Sequence, residues 1–175
     1  MQKLSMEELN RKSVEEFRKS EKTPVVVVLD NIRSMHNVGS VFRSADAFLV
    51  ECIFLCGFTA QPPHRDIHKT ALGATDTVNW KYYYSTIEAV KKLKEDGYRI
   101  WAVEQVKNSK KLNEIELKPN EKVAIIFGNE VEGVSNEVLA LCDDFIEIPQ
   151  LGMKHSLNVS VAAGIVLWEV VRDRV

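Results

Sequence analysis

The chain has 175 residues, of which 45% are hydrophobic and 27% charged, the make-up of one globular domain long enough to bury a real core. A net charge of −2 excludes bulk, sequence-blind phosphate binding, so any nucleic-acid contact must be local and driven by shape. The first twenty residues lack the apolar stretch of a signal peptide and no apolar run could span a bilayer, which predicts a cytoplasmic protein with no membrane contact; three cysteines argue against a disulfide framework.

In chain order, Ser5 to Ser20 reads as a short surface helix with a thin apolar stripe of Met6, Leu9, Val14 and Phe17. Residues 1–22 are therefore expected to be a helical extension, and 23–175 a single domain. Pro24 stops that helix, and Val25 to Leu29 is a continuous β-branched run of the kind found in a parallel strand covered on both faces. After a polar turn, Val38 to Leu49 becomes helical, with Val38, Val41, Phe42, Ala45, Phe48 and Leu49 on one face and Arg43 on the other. Gly39, four residues before Arg43, is expected to leave bare backbone near a helix start whose free N–H groups favour anions.

Cys52 to Cys56 is a second strand, and Gly57 to Thr77 reads as one long polar connection, of a length that is functional more often than incidental. Cys52, Cys56, His64 and His68 stand in a C-x3-C then H-x3-H order. The gap between the pairs is shorter than in zinc fingers and the cysteines flank an apolar strand, so no metal is expected. Trp80 to Tyr84, Tyr98 to Val103, Val123 to Phe127 and Phe145 to Ile148 are further strands, and Thr86 to Glu95 and Asn136 to Leu141 further helices. Pro149 to Lys154 is a loop, Ser156 the expected N-cap, and Leu157 to Val171 a helix apolar on nearly every face. Such a helix must be covered all round, either as a central core element or by lying partly in the interface of an isologous dimer.

Strands alternating with helices predict an α/β fold, a mostly parallel sheet with helices on both faces. The dinucleotide fingerprint, the P-loop, the nucleophile elbow and the zinc-protease motif are all missing. Three polar, glycine-marked loops remain, Asn31 to Arg43, Gly128 to Ser135 and Pro149 to Asn158. Each follows the C-terminal end of a strand, where open α/β sheets bind their ligands.

These three stretches, NIRSMHNVGSVFRSADAF, IIFGNEVEGVS and IPQLGMKHSLNVSVAAGI, resemble in order the signature motifs of the SpoU (TrmH-like) branch of the SPOUT RNA 2′-O-methyltransferases. The likeness runs from about Val25 to Arg172. It implies a homodimer formed through the C-terminal helix, a deep C-terminal trefoil knot, S-adenosylmethionine as cofactor, and methyl transfer to a ribose hydroxyl of tRNA or rRNA. By the same resemblance Arg43 is the catalytic arginine, Asn37 its partner, Glu130 the acidic residue of the second motif, and Ser156 and Asn158 the polar pair of the third. Gly128, Ile148 and Leu157 would contact the cofactor, and the loop around Val103 and Glu104 would close the adenosyl pocket. No metal is implied.

A 2′-hydroxyl is a poor nucleophile until its proton is leaving, so the site needs a base or a group that stabilises the developing alkoxide. Arginine keeps its charge at any working pH, which casts Arg43 as an orienting and charge-stabilising group, the proton leaving through phosphate or water. The Asn37-x-Gly39-x-x-x-Arg43 pattern is closer to the tRNA D-loop guanosine and rRNA enzymes than to the wobble-position ones. The chain offers only the Met1–Ser20 segment where many rRNA-directed members carry a large N-terminal domain, and ends just after its core helix. The loop with His64, Arg65, His68 and Lys69 is the expected RNA contact. Two other readings stand beside this one: a catalytically idle RNA- or cofactor-binding module of the same fold, which would have no reason to hold the full residue set, and a small-molecule methyltransferase, which would be indifferent to RNA.

Overall fold

The structure, a computed structural model, describes residues 3–5, 8, 11–118, 120–153 and 156–174. The first helix, α1 (Val14–Lys19), is shorter than expected because a Ser13–Glu16 capping box starts it, and Phe17 anchors it in the core; Met6 and Leu9 lie outside the described residues. Strand β1 (Thr23–Asp30) leads to α2 (Met35–Ala47), β2 (Val50–Cys56), α3 (Arg65–Ala71), α4 (Ala74–Thr77) and β3 (Trp80–Tyr83). Then come α5 (Thr86–Glu95), β4 (Arg99–Val103), β5 (Lys110–Lys111), β6 (Val123–Phe127), α6 (Asn136–Leu139), β7 (Asp144–Glu147) and α7 (Val159–Val171).

The seven strands form one sheet in the order β3-β2-β1-β6-β4-β7-β5, and every neighbouring pair is parallel. β1 and β6 lie at the centre, and their apolar runs serve both faces by alternation. Val25, Val27, Leu29, Val123, Ile125 and Phe127 pack toward α2, α3 and α7, while Val26, Val28, Ala124 and Ile126 pack toward α5 and α6. Each such fully buried Val, Leu or Ile side chain stabilises the fold by roughly 1.5–3 kcal/mol.

Several expectations are corrected. The stretch from Gly57 to Thr77 is no simple connection. It holds α3, started by His64 Nδ1 accepting the Asp66 N–H at 3.2 Å, and α4, which follows a left-handed Gly73. Gly39 is not bare backbone. It is buried against α3, and a methyl there would overlap Thr70 and the Ile67 carbonyl, so the glycine exists to let two helices approach. The helix α7 is capped by Asn158 rather than Ser156, because the Asn158 Oδ1 accepts the Ser160 N–H at 2.9 Å while Ser156 and Leu157 remain non-helical. Cys52 and Cys56 are buried on the α5 side, where loss of solvation pushes their thiols up to about 11 and about 12.

One side of α7 is well covered, with Ala163, Val166 and Leu167 inaccessible, and α2 is the helix against which it packs most. The other side leaves Val161, Ile165 and Trp168 between 39% and 50% exposed, in line with the exposed Leu157 that precedes the helix.

Candidate active site

The C-terminal ends of β1, β6 and β7 deliver the three motif loops to one edge of the sheet. The β1 loop turns at Asn31, which has a φ of 56°, and Ser34 caps α2 by accepting the Asn37 N–H. The β6 loop folds back on itself through paired hydrogen bonds between Asn129 and Gly133. That fold-back requires glycine at position 128, since a methyl there would overlap the Gly133 and Val134 backbone.

Three side chains from the three motifs form a directed chain. Glu130 accepts from the backbone N–H groups of Arg33 at 3.0 Å and Ser34 at 3.1 Å, and from Asn37 Nδ2 at 3.1 Å. Asn37 Oδ1 in turn accepts from Asn158 Nδ2 at 3.1 Å. The direction follows from the carboxylate, which when ionised can only accept. It fixes the Asn37 amide, that fixes the Asn158 amide, and the remaining Asn158 Oδ1 is left to cap α7. Burial opposes the charge on Glu130, but the donors from Arg33, Asn37 and Ser34 outweigh it and hold its carboxyl below the ordinary 4.5.

Beside this chain lies a cavity of about 430 Å³ lined by Val103, Glu104, Gly128, Glu130, Leu157 and Asn158 among others. A smaller space of about 150 Å³ adjoins it, sharing Val103, Glu104, Ser156, Leu157 and Ala162 and adding Ile148. Thus Val103, Ser156 and Leu157 line both spaces, Gly128 the larger and Ile148 the smaller, while Glu130 and Asn158 line the larger one and Asn37 bridges those two from outside the lining. Glu104 closes the side nearest β4, its Oε2 accepting the Val134 N–H at 3.1 Å.

Arg43 stands apart. It lies six residues beyond Asn37 on α2, so its side chain is turned about 120° from that of Asn37. It is exposed and lines neither hollow.

Two residues that brace the site, Asn31 and Asn129, carry no motif role in the sequence reading. Asn129 Nδ2 donates to the Asn31 carbonyl at 2.7 Å, and Asn129 Oδ1 accepts from the Val131 and Glu132 N–H groups at 2.9 and 3.1 Å. The available signal was an asparagine beside each strand end, the residue that bonds local backbone and tolerates left-handed turns.

A sequence profile of the SpoU rRNA Methylase family matches residues 24–168. The chain belongs to the SpoU methylase family. It is 34% identical over 168 residues to a tRNA (guanosine(18)-2′-O)-methyltransferase of Thermus thermophilus, covering 95% of this chain and 84% of that enzyme. To the 23S rRNA (guanosine-2′-O-)-methyltransferase RlmB of Vibrio parahaemolyticus it is 33% identical, covering 95% of this chain but only 66% of that one. Among solved structures, the AdoMet-bound rRNA methyltransferase from Sinorhizobium meliloti superposes with a TM-score of 0.82 at 26% identity, over 91% of this chain and 60% of that chain. This SpoU methylase is therefore an α/β methyltransferase whose parallel sheet is that of its solved relatives. Among the described residues, no helix is long and apolar enough to cross a membrane, and no three His, Cys, Asp or Glu side chains cluster as a metal site would need.

Proposed function

We propose that this chain transfers a methyl group from S-adenosylmethionine to a ribose 2′-hydroxyl of a structured RNA, with a tRNA D-loop guanosine as the favoured acceptor and rRNA as the alternative. The observation that carries this reading is the Glu130–Asn37–Asn158 chain at the mouth of a hollow lined by the third motif's Leu157 and the second motif's Gly128. The tRNA preference is supported by the relative that acts on guanosine 18 of tRNA, to which this chain is 34% identical over 168 residues.

The make-up of the hollow fits the cofactor. Val103, Phe127, Leu157 and Ala162 give apolar walls suited to an adenine ring, and the carboxylates of Glu104 and Glu130 suit a cationic methyl donor. When bound, S-adenosylmethionine supplies an electrophilic methyl group, which leaves the chain's own residues with positioning and charge stabilisation. Asn37 and Asn158 hold the polar mouth in one orientation, and Ser156 offers a hydroxyl on its rim. Arg43 orients the acceptor ribose and its adjacent phosphate and stabilises the developing alkoxide, while the hydroxyl's proton leaves to phosphate or water rather than to the guanidinium.

The protein works in this reading as a homodimer through α7. The exposed Leu157, Val161, Ile165 and Trp168 stripe supports that, as it is the uncovered half of a helix apolar all round. A trefoil knot belongs to the same reading. It is supported by the excursion of the β4–β6 connection out to β5, beyond β7, with Leu112, Ile115 and Leu117 packed in the core cluster that also holds α7.

The test is transfer of labelled methyl from S-adenosylmethionine to unmodified tRNA and, separately, rRNA, followed by nucleoside analysis. A 2′-O-methylated nucleoside from one of them names the substrate. Tight cofactor binding with transfer to neither would sink the RNA reading in favour of an idle module or a small-molecule acceptor.

A further inference from the structure

Two strands along from the candidate site, the same edge of the sheet carries a group of exposed aromatic side chains. Phe58 is 59% exposed, Tyr84 85% and Tyr82 39%. Parallel pairing of Cys56 with Tyr83 sets the ends of β2 and β3 side by side, and the Gly57 N–H donates to the Tyr83 carbonyl at 3.1 Å. The Tyr82 hydroxyl donates to the Gly57 carbonyl at 2.9 Å, so Phe58 and Tyr84 emerge from neighbouring, mutually tied backbones.

That edge is braced. Asn31 Oδ1 accepts the Phe58 N–H at 3.2 Å, and the buried Thr59 hydroxyl accepts the Ile32 N–H at 2.9 Å while donating to the Leu29 carbonyl at 3.1 Å. Gly57 has a φ of 62°, and a methyl there would overlap Asn31 Oδ1. Asn31 is the residue that Asn129 holds by its carbonyl, so the Phe58 turn, the β1 loop and the Glu130 loop form one hydrogen-bonded frame. The frame holds the backbones of Phe58 and Tyr84 while leaving both rings open to solvent. With strands spaced about 4.8 Å apart, β2 lies about 10 Å from the β6 loop, within reach of a nucleotide next to one held at the site. The exposed cations Arg33, on the β1 loop between them, and Arg65, at the start of α3, provide for the backbone phosphates of such a segment.

We propose that Phe58 and Tyr84 form a stacking platform for an unpaired base of the RNA, beside the nucleotide that is methylated. The inference rests on the RNA reading above and adds to it the second contact that gives the acceptor its register. Single-stranded RNA bases are commonly read by stacking on aromatic faces or guanidinium planes, a contact available in a chain without a net basic surface.

The test compares wild type with Phe58→Ala, Tyr84→Ala, the double variant and Phe58→Trp, on the full-length RNA transcript that wild type methylates. Neither residue touches the cofactor hollow. The expected result is a KM for RNA raised by about five- to a hundredfold in the double variant, with kcat and cofactor affinity held, and near-normal KM in Phe58→Trp. An active wild type with RNA affinity unchanged in the double variant would overturn the platform alone and leave the aromatic pair to a protein partner. A folded wild type that binds cofactor yet neither binds nor methylates any RNA would overturn the platform together with the reading beneath it.

Discussion

The strand-end loops meet α7 at its Asn158 cap, yet the loops are finished within a single chain and the outer face of the helix is not. At the loops, the polar groups of the motif side chains find partners inside the chain. Glu130 takes three donors, Asn37 both gives and takes, and Asn158 links to Asn37 while capping α7. On α7, seven residues are buried against the core, while Val161, Ile165 and Trp168 remain open to water. Arg43 shares that second condition, being exposed on α2 away from the polar chain. On the proposed function, the contrast separates what one chain builds, a scaffold for the cofactor, from what it would leave for partners, an apolar stripe for a second copy and a guanidinium for RNA.

Arg43→Ala should lower kcat by about 10²- to 10³-fold while cofactor affinity in calorimetry stays the same, the size seen when one charge-stabilising donor is lost. A drop of less than about threefold would make Arg43 an ordinary solvated helix residue. Ile165→Glu should leave the circular dichroism spectrum intact but raise the dimer dissociation constant by roughly a hundredfold, through desolvation and repulsion at the stripe. Sedimentation showing an unchanged dimer would place the interface elsewhere.

Gly128→Ala acts on the finished side. Its methyl overlaps the Gly133 and Val134 backbone, so the β6 loop must shift, at a cost of about 1–3 kcal/mol by thermal unfolding and about tenfold in cofactor affinity. Glu130→Gln is the mildest of the set, with activity down about tenfold or less. One Oε can still accept, but an amide NH2 now meets the Arg33 N–H or the Ser34 and Asn37 donors. Its pH dependence sharpens the point. The folded carboxyl titrates below 4.5, so its stabilisation is present above about pH 4.5 and is lost as pH falls through the lower folded value. Acid unfolding should therefore show the gap between wild type and variant closing below pH 4.5, and a constant gap would deny the carboxylate its role.

Much of the fold was legible because its central strands are continuous apolar runs. The expected Val123 to Phe127 matches β6 to the residue, and the expected Thr86 to Glu95 matches α5. What escaped was short or started unusually. β5 is two lysines with no alternation to read, and α3 and α4 are opened by a histidine and a left-handed glycine rather than by a standard cap. The three motifs of the candidate site could be read in the sequence, but not the geometry that joins Asn37, Glu130 and Asn158. Asn37 and Glu130 are 93 residues apart and Asn37 and Asn158 are 121 apart, distances over which local rules say nothing. Gly39 shows the limit best. Its sequence context suggested bare backbone for an anion, and only the packing of α3 reveals a helix contact.

The measurement that bears most directly on the central claim uses the RNA that wild type methylates, resynthesised with a single 2′-deoxyribose at the mapped acceptor nucleotide. Methyl transfer from S-adenosylmethionine should vanish while the altered RNA still competes with the native one for binding. Transfer that continues at that nucleotide would put the methyl group on the base instead of the ribose oxygen, and would contradict the reaction assigned to this site.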